Sequence, residues 1–328
     1  MRTCVGLDIG RSSVKVVSRS PEGRKEILFP SSVCPAFAIT DEREQLRALE
    51  ETVTVNQRDY FFGATAALQG QDDLLAGLRD DWVFTDSHTA LFRGALRKLQ
   101  VSGVSGVDSA LVVVGLPASL YASQKTRLLA ELARYAPKIE MRVLPQSIGP
   151  YQQMLFNSDG SENPDFNADE DSWGVIEIGQ YTTDYALLLE GHPIENAFGS
   201  CDGMRISAQA LQRSLSEKGF MVNLSESTDI LRTKKVRNYG EKVDVTADVM
   251  TSVERLGQII VDKANQLIGK QARSLDGILV AGGGASLIMP FLQKAWPHAR
   301  LMENPRFSVA EGFCRYACAF ENYRANGH

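Results

Sequence analysis

One pattern occurs twice in this chain, and it limits the fold more than any other feature of the sequence. Leu7-Asp8-Ile9-Gly10-Arg11-Ser12-Ser13 and Ile176-Glu177-Ile178-Gly179-Gln180-Tyr181-Thr182 each run apolar, carboxylate, apolar, glycine, and then enter a hydroxyl-bearing turn. Each is followed by a second apolar run, Val14 to Val17 in the first case and Tyr185 to Leu189 in the second. Alternating apolar residues around a glycine turn predict two β-hairpins. The repeat points to two related subdomains that present like-shaped hairpins. If the two turns face one another across a cleft, their N–H groups and hydroxyls can clamp a run of phosphates. Asp8 and Glu177 would then hold Mg2+ through its water shell, since that ion dehydrates reluctantly. Asp184, which flanks the second turn, is a further candidate for a hydrated cation, and Lys15 would set a point charge beside the phosphates. For either hairpin taken singly, an ordinary polar turn is the competing reading.

A third element is Gly282-Gly283-Gly284, between the apolar run Gly277 to Ala281 and a helix opening at Ala285-Ser286-Leu287-Ile288. Bare glycines there let backbone approach a ligand closely, and the helix N-terminus adds positive potential. A tight strand–helix turn needs glycines too, so the run is ambiguous by itself. It is not a dinucleotide fingerprint, because Leu287 stands where the last glycine belongs, and no P-loop pattern occurs.

Between these motifs strands and helices alternate, which makes the class α/β. A further hairpin is predicted at Thr52–Val55 and Tyr60–Phe62, and helices at Asp86–Gln100, Ser123–Tyr135, Asp202–Gly219, Ala247–Gln271 and Val309–Tyr323. Ala110–Val114 is nearly all apolar and reads as a buried central strand stopped by Gly115-Leu116-Pro117. Met141–Leu144 is another strand, and Pro145-Gln146-Ser147-Ile148 opens a helix reaching about Phe156. Asn157–Ser172, with acids at Asp159, Glu162, Asp165, Asp169, Glu170 and Asp171, reads as a solvated linker or surface loop at a domain boundary. Two domains suit 328 residues.

The formal net charge of −5 argues against an electrostatic grip on bare nucleic acid, and the single basic run, Arg232 to Arg237, reads as a solvated loop. Five scattered cysteines suggest no disulfide framework; Cys314 and Cys318 share a helix side but have no histidine near them in sequence, so buried thiols in a reducing cytosol are expected. The N-terminus enters a strand without a signal-peptide core, and no apolar run is long enough to span a bilayer. The expected location is cytoplasmic, with no membrane partner.

Asp8-Ile9-Gly10 through Lys15, Glu177 through Asp184, and Leu279 through Ile288, in this order, resemble the first phosphate, second phosphate and adenosine motifs of the actin-like ATPases. Leu144-Pro145-Gln146-Ser147-Ile148 and Val309-Ala310-Glu311-Gly312-Phe313 are similar to that family's two interdomain connecting helices. Among its members the chain resembles the bacterial plasmid-segregation proteins of the ParM and StbA type. The resemblance implies an actin-like ATPase fold with two RNase H-like subdomains around a nucleotide cleft, domain I being residues 1–160 with 305–328 and domain II residues 161–304. It implies Mg2+ and ATP, or GTP, as cofactors. Asp8 and Glu177 would serve the metal; Gly10, Ser12, Ser13, Lys15, Gly179, Gln180, Tyr181, Thr182, Gly282, Gly283 and Gly284 would bind the nucleotide; and Gln146, with Asp8 and Glu177, would be catalytic. Gln146 stands where the family orients its attacking water, and a helix-capping glutamine is the alternative. Glu177 departs from the family's usual aspartate, and Gln180 and Tyr181 stand where glycines are common.

The function so implied is a filament-forming ATPase in plasmid segregation. Its partners would be copies of itself and a small DNA-binding adaptor, without direct nucleic-acid contact. A weakly hydrolysing or non-polymerising scaffold of the cell-division or pilus-assembly type is the alternative, although Glu321 to His328 lacks the amphipathic tail of the membrane-attached division type. A small-molecule kinase shares the fold and would need an acidic base near the transferred phosphate.

Overall fold

The computed structural model describes residues 2–70 and 80–326. The chain divides into two units, the first running to Phe166 and resuming at Phe307, the second being Asn167–Arg306.

Unit 1 opens with the antiparallel strands β1 (Cys4–Ile9), β2 (Ser13–Ser20) and β3 (Gly23–Pro30). A small sheet follows, built from β4 (Val33–Pro35), β5 (Thr52–Val55) and β6 (Arg58–Phe62), with helix α1 (Glu42–Glu50) inserted and α2 (Gly63–Gln69) after it. The β5–β6 turn is Asn56-Gln57, both at positive φ (48° and 64°), as a two-residue hairpin loop requires. Then come α3 (Asp86–Val101), β7 (Leu111–Leu116), α4 (Ala118–Tyr135), β8 (Glu140–Pro145) and α5 (Gly149–Leu155), the last entered through a 3₁₀ turn at Gln146–Ile148. The main sheet has the order β3-β2-β1-β7-β8, and β7 is parallel to both of its neighbours.

Unit 2 repeats the plan. Its elements are β9 (Trp173–Ile178), β10 (Thr182–Leu189), β11 (His192–Pro193), β12 (Gly199–Asp202), α6 (Arg205–Glu217), α7 (Leu224–Thr233), β13 (Lys235–Asn238), β14 (Glu241–Asp244), α8 (Thr246–Leu267), β15 (Gly277–Ala281), α9 (Ala285–Ala295) and β16 (Ala299–Leu301). The sheet order is β11-β10-β9-β15-β16, so a hairpin again lies beside a parallel strand. The doubled sequence pattern is therefore doubled topology. The chain then returns to unit 1 as α10 (Ser308–Ala325).

In unit 1 the pleat sorts each central strand between two cores. Val5, Leu7 and Ile9 of β1 pack with Val112, Val114 and Leu116 of β7 and with Leu91, Ala95 and Leu99 of α3, while Cys4, Leu111 and Val113 pack with Phe313, Cys314 and Cys318 of α10. Strands covered on both faces are why these runs are apolar at every position. The contact with α10 is made at glycines. A Cβ on Gly6 would stand 1.9 Å from the Ala310 carbonyl oxygen, and one on Gly312 would stand 1.8 Å from that of Gly149. Arg315 donates to the carbonyls of Gln153 and Phe156 at 2.8 Å each, closing the C-terminal end of α5.

Two expectations are corrected and one is narrowed. Asn157–Ser172 is a surface loop, the second of its two readings, and it is anchored: Asn157 N–H donates to Ser161 (2.8 Å), Asn163 Nδ2 to Met154 (2.9 Å), and Phe166 is buried edge-on to Tyr151. Its polar composition hid the few apolar and asparagine anchors that fix it. The basic run 232–237 is the end of α7 and strand β13, not a solvated loop, because Val236 is buried in the core. Asp202 ends β12, and the helix expected there begins at Arg205. The cysteines are all free, and Cys4, Cys34, Cys314 and Cys318 are buried.

Candidate functional site

In unit 1 the predicted residues converge on one carboxylate. Asp8 lies near the end of β1, buried to 5% exposure, directly opposite Lys15 across the hairpin. Lys15 Nζ donates to Asp8 Oδ2 at 2.9 Å, and Gln146 Nε2 donates to Asp8 Oδ1 at 2.9 Å. Because a carboxylate only accepts, this bond fixes the amide with its nitrogen on Asp8 and its carbonyl turned away. Gln146 thus keeps an acceptor for a water while the strands hold its orientation.

Two residues not singled out in the sequence build this arrangement. Ser31, just past β3, donates from its N–H to the Ser12 carbonyl (3.0 Å) and from its hydroxyl to the Gly10 carbonyl. A trans peptide points its N–H opposite to its C=O, so the N–H groups of Arg11 and Ser13 face away from Ser31. Gly115, at the end of β7, makes room for Gln146: a Cβ there would stand 2.7 Å from Gln146 Cγ and 2.9 Å from Phe313 Cε2. In the sequence it looked like a strand stop, yet β7 continues through it to Leu116. Ser12 is exposed and Ser13 is buried at the start of β2, while Gly10 is half-buried beside Lys15 Nζ.

In unit 2 the turn Gly179-Gln180-Tyr181 is held by the start of α6. The N–H groups of Met204, Arg205 and Gly203 donate to the carbonyls of Gly179 (3.0 Å), Gln180 (2.7 Å) and Tyr181 (3.0 Å), respectively. By the same peptide geometry, the N–H groups of Gln180, Tyr181 and Thr182 point to the opposite side, as a concave donor set for an anion does. The two bulky side chains are pinned to helices: Gln180 Nε2 donates to Thr228 Oγ1 of α7 (3.0 Å), and the Arg205 guanidinium lies 5.3 Å from the centre of the Tyr181 ring.

The register exposes the main difference between the units. Where Asp8 faces Lys15, Glu177 faces Asp184, so two carboxylates stand opposite on one face. Asp184 is fully buried and accepts the Thr182 hydroxyl at 2.9 Å. The sequence placed Asp184 at the mouth of the turn; its burial makes it a brace for Thr182 instead. Glu177 is buried to 9% and lies against the glycine run, since a Cβ on Gly282 would stand 2.6 Å from Glu177 Oε1 and 2.4 Å from the Ile178 carbonyl oxygen. Gly282 also has φ +93°, which favours glycine. Gly284 is packed against Met204, and its N–H donates to the Ile178 carbonyl at 3.0 Å. Only Gly283 of the three has open space before it, at the entrance to α9. Among the described residues no group of three or more His, Cys, Asp or Glu side chains is placed to hold a metal ion. A cation kept largely in its water shell needs no such group.

Residues 6–149 match the family described as actin-like proteins, N-terminal domain, and residues 175–294 match the archaeal actin homologue MreB-like family, C-terminal. No curated protein sequence matches. A 15-stranded ParM filament from Clostridium botulinum is similar over 96% of this chain and 99% of its own (TM-score 0.75, 20% identity). An archaeal actin homologue is similar over 95% and 98% (TM-score 0.72, 18% identity). ParM of Bacillus thuringiensis with AMPPNP is similar over 98% and 99% (TM-score 0.68, 15% identity).

Proposed function

We propose that this chain, an actin-like protein, binds ATP or GTP with Mg2+, hydrolyses it slowly, and assembles into filaments. We further propose that the filaments act in plasmid segregation through a small DNA-binding adaptor. The observation that carries the reading is the convergence of Lys15 and Gln146 on buried Asp8, one from the facing strand of its own hairpin and one from the turn after β8. Unit 2 supports it with the N–H row of Gln180, Tyr181 and Thr182 and with the open backbone at Gly283.

These residues fit a nucleotide and its cation. Asp8 and Glu177 are the carboxylates for the metal, whose charge when bound offsets that of the phosphates. Lys15, now on Asp8, lies on β2 just past the first turn, where its ammonium can be shared with an arriving phosphate. Gly10, Ser12, Ser13 and the turn Gln180 to Thr182 offer donors, the Gly179 N–H being spent on the Thr182 carbonyl, and Gly283 brings open backbone to the nucleoside. Gln146 orients water through its carbonyl while Asp8 holds its amide. An amide is a poor base, so its contribution is positioning, and turnover is expected to be slow.

Self-assembly is supported by the likeness to a ParM filament. An adaptor is supported by the net charge of −5, which disfavours direct contact with DNA. Among the described residues no helix is long and apolar enough to cross a membrane.

Electron microscopy and phosphate release with ATP, GTP, ADP and no nucleotide test the proposal. Filaments with a triphosphate, and phosphate release that follows their formation, are expected. Tight nucleotide binding without turnover or polymer would instead make the protein a scaffold, and transfer of phosphate to a sugar would make it a kinase.

A further inference from the structure

The β13–β14 hairpin is the part of unit 2 that the nucleotide site does not use, and its surface chemistry is unusual. Val236 and Val243 turn inward, which leaves Lys235, Arg237 and Lys242 exposed on the outer face. Arg237 and Lys242 stand directly opposite one another, and like charges in that position destabilise a strand pair. Neither joins an ion pair among the described residues. Asp244, the one acid on that face, accepts from the Thr246 N–H at 3.0 Å and so is drawn to the start of α8. At the tip, Tyr239 has φ +44° and is fully exposed, beside Gly240 at φ +93°. A bulky aromatic residue is uncommon in that conformation. Among the described residues the two strands pair only with each other.

We propose that this hairpin is an assembly contact that docks on the acidic loop 157–172 of a second copy of the chain. The proposal rests on the filament reading and names the surface that carries it. The loop holds six carboxylates and no lysine or arginine, and Asp159, Glu162, Asp165, Asp169 and Glu170 are exposed. It is fixed before contact by its hydrogen bonds and by buried Phe166, so little ordering is needed on docking. Hydrogen bonds from Ser161 hold the Asp159 carboxyl below its usual range, which keeps it charged. Duplex DNA would also suit a cationic hairpin, but a chain of net charge −5 repels it at longer range, whereas the loop brings a local cluster of carboxylates. Hairpin and loop are different surfaces, so each docked copy still presents one of each, and the contact propagates as an open polymer.

Two neutralised variants test this: Arg237→Ser with Lys242→Ser in the hairpin, and Asp159→Asn, Glu162→Gln and Asp165→Asn in the loop. Each alone should raise the critical concentration for assembly by about tenfold or more while nucleotide affinity stays unchanged. Mixed one to one, the variants retain one native junction per pair, so sedimentation should show heterodimers without polymer. The dimer is read with or without nucleotide, so a wild type that never polymerises refutes the filament reading but leaves this contact to be judged from the mixture. Unchanged assembly of either variant, or a mixture that stays monomeric, overturns the contact. Binding of labelled duplex DNA by wild type, lost in the hairpin variant, overturns the assignment of the partner.

Discussion

Gly115→Ala isolates the positioning of Gln146 from its chemistry. The added methyl would lie 2.7 Å from Gln146 Cγ and 2.9 Å from Phe313 Cε2, so about an ångström must be relieved on each side. Phe313 is fully buried between the sheet and α10 and yields at a cost typical of overpacking, roughly 1–3 kcal/mol. Gln146 yields more easily, by swinging off Asp8 and losing the 2.9 Å bond that orients its amide. The expected result is a melting temperature lowered by several degrees, unchanged nucleotide affinity, and a turnover rate down by roughly tenfold to a hundredfold, as for an ångström of misplacement. Phosphate release, fluorescent-nucleotide binding and thermal melts measure the three. In Gln146→Ala the Cγ is absent, so the added methyl should destabilise less and should not slow turnover further. If Gly115→Ala loses stability but keeps wild-type turnover, Gln146 does not orient the nucleophile.

Lys15→Ala leaves the Asp8 carboxylate buried without its cation and should cost roughly 3 kcal/mol in denaturant titrations, most of it recovered by adding Asp8→Asn; a loss below about 1 kcal/mol would show that water already solvates Asp8. His88 is buried edge-on to Trp82, and burial holds its pKa down to about 3. Below the ordinary value of 6.5 the unfolded chain takes up a proton that the folded chain refuses, so stability is complete above that pH and falls by about 1.4 kcal/mol per unit toward 3. His88→Leu should flatten the urea-derived profile between pH 6.5 and 5, and a wild-type profile already flat there would contradict the burial argument. Arg205→Ala removes the cation over the Tyr181 ring and should weaken nucleotide binding about twofold to fivefold, with Arg205→Lys retaining most of the affinity. Equal affinities in all three proteins would show that the stack does not hold the turn.

The doubled carboxylate–glycine pattern was legible because a hairpin is local. Alternation and a glycine turn within a dozen residues predict β1–β2 and β9–β10, and nothing distant has to be known. The apolar runs of β7 and β15 were legible for a related reason, since a strand covered on both faces can tolerate little else. Short, half-exposed elements were not. α7 is held by the Asn223 capping box and turns only Ser227, Ile230 and Leu231 inward, and β13 is anchored by one buried valine within a basic run, so each has few apolar residues to mark it.

The candidate site divides along the same line. The sequence by itself singled out candidates for the proposed chemistry, Asp8, Lys15, Glu177 and the three glycines by their pattern and Gln146 by the family resemblance. Only the tertiary structure decided how they are arranged. It put Gln146 on Asp8 across 138 positions of chain, gave Gly115 and Ser31 their positioning roles, faced Glu177 with a buried Asp184 instead of a lysine, and left only Gly283 of its run open. The physical reason is that residue type and alternation are written locally, whereas hydrogen-bond partners, burial and the space beside a missing Cβ depend on which distant strand or helix arrives there.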